Sequence, residues 1–171
     1  TAYEITYGDW SSDVYSSDLD VIFAPMAGEM YSRDRSVLVQ ETKLSKVLCG
    51  ASRPGHFDGV CTVVLQLFNL VQPETAVFGK KDYQQLAILK RMVRDLRVPV
   101  KIIGGETVRE ADGLAMSSRN RYLNEEERRQ APEIRRALLM LREHWSQGKR
   151  NSAELRKLFE EHLRKHAPLQ R

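Results

Sequence analysis

Cysteines, long apolar runs and an excess of charge of either sign are all scarce in this chain, and each scarcity removes a class of protein. The two cysteines, Cys49 and Cys61, form no C-x-x-C pair, and no nearby histidine completes a zinc knuckle. A disulfide scaffold is therefore not expected, and free thiols suit a reducing compartment, so the cytoplasm is the expected location. No stretch approaches the ~18–20 consecutive apolar residues that cross a bilayer. The first residues also lack a basic region followed by an apolar run, and no membrane partner is expected. The 27 basic residues are offset by 23 acidic ones, with the signs interspersed and a net charge of only +4. A nucleic-acid surface is thus not expected despite a pI near 9.1. What is there, with 42% of residues hydrophobic, is enough for one main core and a helical tail.

The periodicity changes along the chain. Residues 1–18 hold a near-duplication, Ser11-Ser12-Asp13 and Ser16-Ser17-Asp18, without helical or strand period. They resemble translated adaptor sequence, and the native reading is expected to begin near Leu19. Val21–Ala24 reads as a strand buried on both faces. Residues 36–48 mix apolar and charged positions without a clear period. Val60, Val63, Val64, Leu67, Leu70 and Val71 recur at helical spacing until Pro73 forbids continuation. Thr75–Phe78 reads as a second buried strand, closed by Gly79. A helix follows, marked by Tyr83, Leu86, Met92, Val93 and Leu96, and then a third strand over Val98–Ile103. This alternation predicts an α/β fold with a parallel sheet and right-handed crossovers. Beyond Tyr122 the pattern is helical. Asn124 with Glu127 three residues on predicts a capped start, Ala131, Ile134, Leu138, Leu141 and Trp145 make one apolar stripe, and Gly148 ends it. A second amphipathic helix begins at Ser152, with Leu155, Leu158, Phe159 and Leu163 inward.

Three segments carry chemistry. Gly79-Lys80-Lys81-Asp82 lies where a strand hands over to a helix, the edge at which parallel sheets bind phosphates. There Gly79 permits close backbone approach, Lys81 can neutralise phosphate, Asp82 can accept from ribose hydroxyls, and Gln85 lies one turn into the helix. Arg53-Pro54-Gly55-His56 fixes a guanidinium and an imidazole three residues apart, with a purely structural His56 as the alternative. Ser117-Ser118-Arg119 offers two hydroxyls and a charge that never titrates, as a clamp over pyrophosphate would need. Together the three read as one nucleotide site. The charges of Arg109-Glu110-Ala111-Asp112 are expected to be structural. His162 and His166 stand at i and i+4, but without a visible third ligand they are expected to be solvated rather than metal-binding.

In this order the segments resemble the pantothenate synthetase, or pantoate-β-alanine ligase, family of the nucleotidyltransferase superfamily. The likeness runs from about Asp20 to Tyr122 and includes Leu67–Pro73 and Asp112–Asn120. It implies a Rossmann-like ATP domain, a smaller C-terminal domain and a homodimer. Residues 19–107 would be the second half of the ATP and pantoate domain, and 108–171 the helical start of the C-terminal one. The implied reaction activates pantoate with ATP as pantoyl adenylate, assisted by Mg²⁺, and β-alanine then displaces AMP. By the same resemblance Gly79 and Asp82 hold the ribose, Lys81 the phosphates, Gln85 the pantoate hydroxyl, and Val108 the adenine through its backbone. Met116 precedes the clamp of Ser117, Ser118 and Arg119, while Arg53 and His56 line the pantoate end.

The chain departs from the family pattern in three places. Lys80 stands where many members carry Glu, which predicts a more cationic loop. The family's paired-histidine phosphate motif has no counterpart in residues 1–19. The small C-terminal sheet is cut short. The expectation is a central fragment with little ligase activity alone. Its alternative is a non-catalytic nucleotide-binding or dimerisation module of the same fold.

Overall fold

The computed structural model describes residues 23–168. Residues 1–18, with their duplicated serines, lie outside that range. So do Val21 and Ile22 of the first expected strand, whose remaining residues, Phe23 and Ala24, take no strand conformation. A single-turn helix, α1 (Ala27–Met30), follows them. Contacts divide the chain after Glu106 into two compact units.

In the first unit, a 3-10 turn (Leu44–Lys46) and a four-residue helix, α2 (Cys49–Ser52), precede the long helix α3 (His56–Val71). Gly55 enters α3 at φ +78°, a left-handed conformation that glycine adopts without a Cβ penalty. Gln72 leaves it, also left-handed, with its N–H donating to the Phe68 carbonyl at 2.9 Å, and Pro73 prevents continuation. Phe57, Cys61, Val64 and Phe68 recur at i, i+4, i+7 and i+11, so one face of α3 enters the core.

Strand β1 (Thr75–Gly79) leads through α4 (Tyr83–Asp95) to β2 (Lys101–Gly105). The two strands pair in parallel with Thr75 opposite Lys101 and Gly79 opposite Gly105, as a strand-helix-strand pattern requires. Ile88 and Leu89 of α4 are fully buried against α3, each worth roughly 1.5–3 kcal/mol of transfer free energy.

Two expectations are corrected here. The strands are buried on one face only: Ala76, Phe78 and Ile102 pack on the core, whereas Val77 is 66% and Ile103 41% exposed. The third strand starts at Lys101, not Val98, because Val98-Pro99-Val100 is tied by Val98 N–H to the Val93 carbonyl (3.0 Å) and Val100 N–H to the Val98 carbonyl (2.8 Å). Pro99, lacking a donor, thus stays outside the ladder.

The second unit begins with an irregular segment and a 3-10 helix (Ser118–Tyr122), followed by three helices, α5 (Glu125–Gln130), α6 (Glu133–Ser146) and α7 (Ser152–His166). The expected cap is present: Asn124 Oδ1 accepts from Glu127 N–H, and Glu127 Oε2 accepts from Asn124 N–H, both at 2.9 Å. The single expected helix is two, because Pro132 interrupts it and α6 starts at Glu133. The expected stripe is also not the buried one. Ala137 is fully buried, while Ile134, Leu138 and Trp145 are exposed. Gly148, at φ +93°, turns the chain toward α7, whose first amides donate to Asn151 Oδ1.

His162 is more than solvated. Its Nε2 lies 2.9 Å from Oε2 of buried Glu133, which also binds Arg136, and its ring stacks on His166 with centroids 4.7 Å apart. Among the described residues there is no group of three metal-ligating side chains and no helix long and apolar enough to cross a membrane.

Candidate active site

The carboxyl end of β1 runs without a break into a 3-10 turn, Lys80–Asp82, and then into the first turn of α4. This junction puts Lys81 and Asp82 at a helix N-terminus, where amides and the helix dipole favour an anion. Lys81 is exposed and engages no other described residue. Asp82 occupies the position before α4 but makes no capping bond, so its carboxylate remains available. Around Gly79 the space is open: an added Cβ would meet only the Lys81 nitrogen, at 4.0 Å.

Lys80 behaves differently from its neighbour. Its stem lies over Gly104, where a Cβ would approach Lys80 Cγ and Cε at 3.4 Å and Leu86 Cδ2 at 3.0 Å, and its ammonium pairs with Glu106. The more cationic loop expected from Lys80 is therefore not found, because Glu106 offsets that charge. Lys81 is left as the unpaired cation of the turn.

Arg53 and His56 do meet. Arg53 Nη1 lies 3.2 Å from His56 Nε2. A guanidinium can only donate, so Nε2 accepts and the imidazole proton sits on Nδ1. Burial, and then the Arg53 charge, hold His56 below its usual pKa, which keeps the ring neutral at pH 7. The pair thus offers one fixed cation, held by a neutral ring whose Nε2 is taken by Arg53 and whose Nδ1 is buried.

The segment bearing Arg53 is held by side chains with no signal in the site motifs. Buried Glu41 accepts from the backbone of Lys43 (3.2 Å) and Ser45 (2.7 Å) and from Arg91 Nη1 (3.1 Å). Desolvation alone would raise its pKa, but those donors outweigh it and the carboxyl titrates below its usual range. Gln84, beside the expected Gln85, reaches back to Leu44, Val47 and Cys49. Its signal was a polar residue in helical line with buried Ile88 and with Arg91. Gln85 itself is half-buried in the first turn of α4. Cys49 is exposed, whereas Cys61 lies in the core, where burial pushes its thiol to about 11 and keeps it inert.

In the second unit, Arg109 and Ala115 form an isolated antiparallel bridge, and Met116 N–H donates to the Val108 carbonyl at 3.0 Å. Val108 is exposed and offers its N–H and a second carbonyl lone pair. Ser117 Oγ accepts from Arg119 N–H at 3.2 Å, and the side chains of Ser118 and Arg119 face solvent. Asn120 anchors this stretch, donating to Glu110 Oε1 (2.8 Å) and the Ala115 carbonyl (3.0 Å). Glu110 and Asp112 both bind Arg128, so these charges are structural. The geometry therefore presents two sets of groups, one in each unit: Lys81, Asp82, Arg53 and His56 in the first, and Val108, Ser117, Ser118 and Arg119 in the second.

A pantoate-beta-alanine ligase family model matches residues 2–170. The pantothenate synthetase of Akkermansia muciniphila is 59% identical over 130 residues, which are 76% of this chain and 46% of that protein. That of Moorella thermoacetica is 53% identical over 145 residues, 85% and 51% of the respective chains. The crystal structure of the Thermus thermophilus pantothenate synthetase superposes with a TM-score of 0.84 at 51% identity, covering 90% of this chain and 56% of that one. A Francisella tularensis ligase complexed with β-γ ATP and β-alanine superposes with a TM-score of 0.62 at 31% identity, covering 79% and 50%. The chain thus spans about half the length of the curated relatives it matches.

Proposed function

The chain belongs to the pantoate-β-alanine ligase family, and on that premise we propose that it serves the ATP-dependent joining of pantoate and β-alanine to give pantothenate. The observation that carries this reading is the junction of β1 with α4. There an unpaired Lys81 and an uncommitted Asp82 stand at a helix N-terminus on the carboxyl edge of a parallel sheet.

In the first half-reaction a pantoate carboxylate oxygen attacks the α-phosphorus of ATP, and the bond to the bridging oxygen breaks to release pyrophosphate. In the second, the β-alanine amine attacks the acyl carbon, loses a proton and displaces AMP. Lys81 neutralises phosphate charge, and Gly79 leaves room for the ribose, whose hydroxyls donate to Asp82. Gln85 takes the pantoate hydroxyl, while Arg53 supplies the charge at the pantoate end and neutral His56 orients its guanidinium there. Val108 holds adenine through its backbone, and Met116 precedes Ser117, Ser118 and Arg119, which take the pyrophosphate. Such a set works by positioning and by charge neutralisation. The described residues provide no carboxylate cluster for Mg²⁺. When bound with the nucleotide, Mg²⁺ would supply further neutralisation of phosphate charge beside Lys81. The family reading carries with it a homodimer in the cytoplasm, without nucleic-acid or membrane partners.

One observation favours a second reading. The phosphate-binding features at the junction of β1 with α4, an unpaired Lys81 and an uncommitted Asp82, would by themselves also serve a nucleotide-binding or dimerisation module of the same fold. Titration of the 171-residue chain with a non-hydrolysable ATP analogue, alongside pantoate-dependent exchange of pyrophosphate into ATP, separates the two. Analogue binding that weakens at least about tenfold in Lys81→Ala supports the phosphate site; exchange activity adds the ligase reading, and binding without exchange favours the module. No analogue binding at millimolar concentration, or equal binding by Lys81→Ala, would overturn the assignment of Lys81.

A further inference from the structure

A helix of four residues cannot satisfy its own ends, and α2 is such a helix. Leu48, at its N-cap position, gives no side-chain bond and sits at φ 49°, ψ −127°, outside the usual regions for an L-residue. The preceding 3-10 turn has no side-chain cap at its own start, Lys43, and ends at Val47, whose N–H donates to the Leu44 carbonyl. The turn and the N-terminal end of α2 are bridged by one residue from another element. Gln84 Nε2 donates to the carbonyls of Leu44 (2.8 Å) and Val47 (2.6 Å), and Gln84 Oε1 accepts from Cys49 N–H (3.1 Å). A primary amide has two donor hydrogens and one acceptor oxygen, so Gln84 caps the turn and the helix at once. The segment is also closed on itself, since a Cβ on Gly50 would lie 2.1 Å from the Ser45 carbonyl oxygen. Arg53 is the C-terminal cap position of α2, and its guanidinium meets His56.

We propose that Gln84 is a positioning residue for the pantoate end of the site. It makes the helix whose first turn adjoins Lys81 and Asp82 the same helix that fixes the segment carrying Arg53 and His56. Gln84 touches no substrate in this scheme and acts through α2. The inference rests on the functional reading above for the identity of its ligand.

Three versions of the 171-residue chain test it: unaltered, Gln84→Glu and Gln84→Met. Both variants keep the length of the side chain, and neither donates as the amide does. Without ligand, amide exchange at Cys49, Gly50 and Ala51 should accelerate about tenfold in Gln84→Met, and at Gly50 and Ala51 in Gln84→Glu, whose carboxylate can still accept from Cys49 N–H, while exchange in α7 stays unchanged. With ligand, pantoate affinity should weaken about tenfold while affinity for the ATP analogue stays within about twofold, a split that general loss of structure would not give. Unchanged exchange at the three amides would overturn the capping role. Faster exchange with undiminished pantoate affinity, or equal weakening of both ligands, would overturn the positioning role. Failure of the unaltered chain to bind pantoate would instead overturn the functional reading on which the ligand rests, and with it this role.

Discussion

Segments 41–56 and 107–123 both carry candidate site residues, yet they are held from different distances along the chain. The first is tied by Gln84 and Arg91, partners 35 to 50 positions away on α4. The second is tied by Asn120, Asp112 and Arg128 to partners 2 to 18 positions away. Bonds of the first kind exist only once α4 is seated, because a long loop must close before they form; bonds of the second kind need little beyond their own stretch. The geometry around Arg53 is thus a property of the packed unit, and that around Ser117 a property of local chain.

The strongest way to break this contrast is Leu89→Ala. Leu89 is fully buried on the helix that carries Gln84 and Arg91. Its truncation should cost about 2–5 kcal/mol by urea denaturation and raise amide exchange across 41–56, leaving 107–123 unaffected. Equal loosening of both segments would show that the second also depends on the core. A smaller effect, about 1–3 kcal/mol, is expected for Asn120→Ala, which leaves the Ala115 carbonyl and Glu110 without that donor. Its exchange signature should stay within the second unit, and spread into 41–56 would count against local anchoring.

The smallest expected effect is that of acid. His56 titrates below its ordinary 6.5, held down by burial and by Arg53, and its contribution to stability is present above that value and lost as the pH falls toward the folded pKa. Glu41, below its ordinary 4.5, holds its contribution further and loses it at lower pH. In the second segment the Arg128 hydrogen bond and the Leu114 amide keep Asp112 below 3.8, so its contribution survives until the pH falls below that value. Amide exchange, corrected for its intrinsic pH dependence and followed from about pH 7 to 5, should show 41–56 loosening first. Coincident loosening would erase the distinction.

Much of the order of elements was legible. The helical run of α3, its stop at Pro73, the glycine closing β1 and the Asn124 cap are local signals, and local physics decides them. The face that α3 buries, however, is set by Phe57, Cys61, Val64 and Phe68 rather than by the whole expected stripe, whose Leu70 and Val71 are exposed. The exposure of Val77, Ile103 and Leu138 was not legible, because a β-branched or apolar residue reads the same whether or not anything covers it. At the site, the residue types of the Lys81 turn and of Ser117–Arg119 were visible, but not that Glu106 would take the charge of Lys80. The role of Gln84 was not legible. A sequence shows a polar residue in line with a buried one, but not the three backbone groups that it finds 35 to 40 positions away.

The uncovered face of the sheet has a thermal consequence. Val77 and Ile103 already meet water in the folded chain, as do Leu70 and Val71 at the end of α3. Unfolding exposes that apolar surface no further, and the heat-capacity increment of unfolding falls in proportion, below the ~12–15 cal/mol/K per residue of globular domains in general. A smaller increment flattens the stability curve, so this unit should change little in stability between cold and room temperature and give a broad melt for its size.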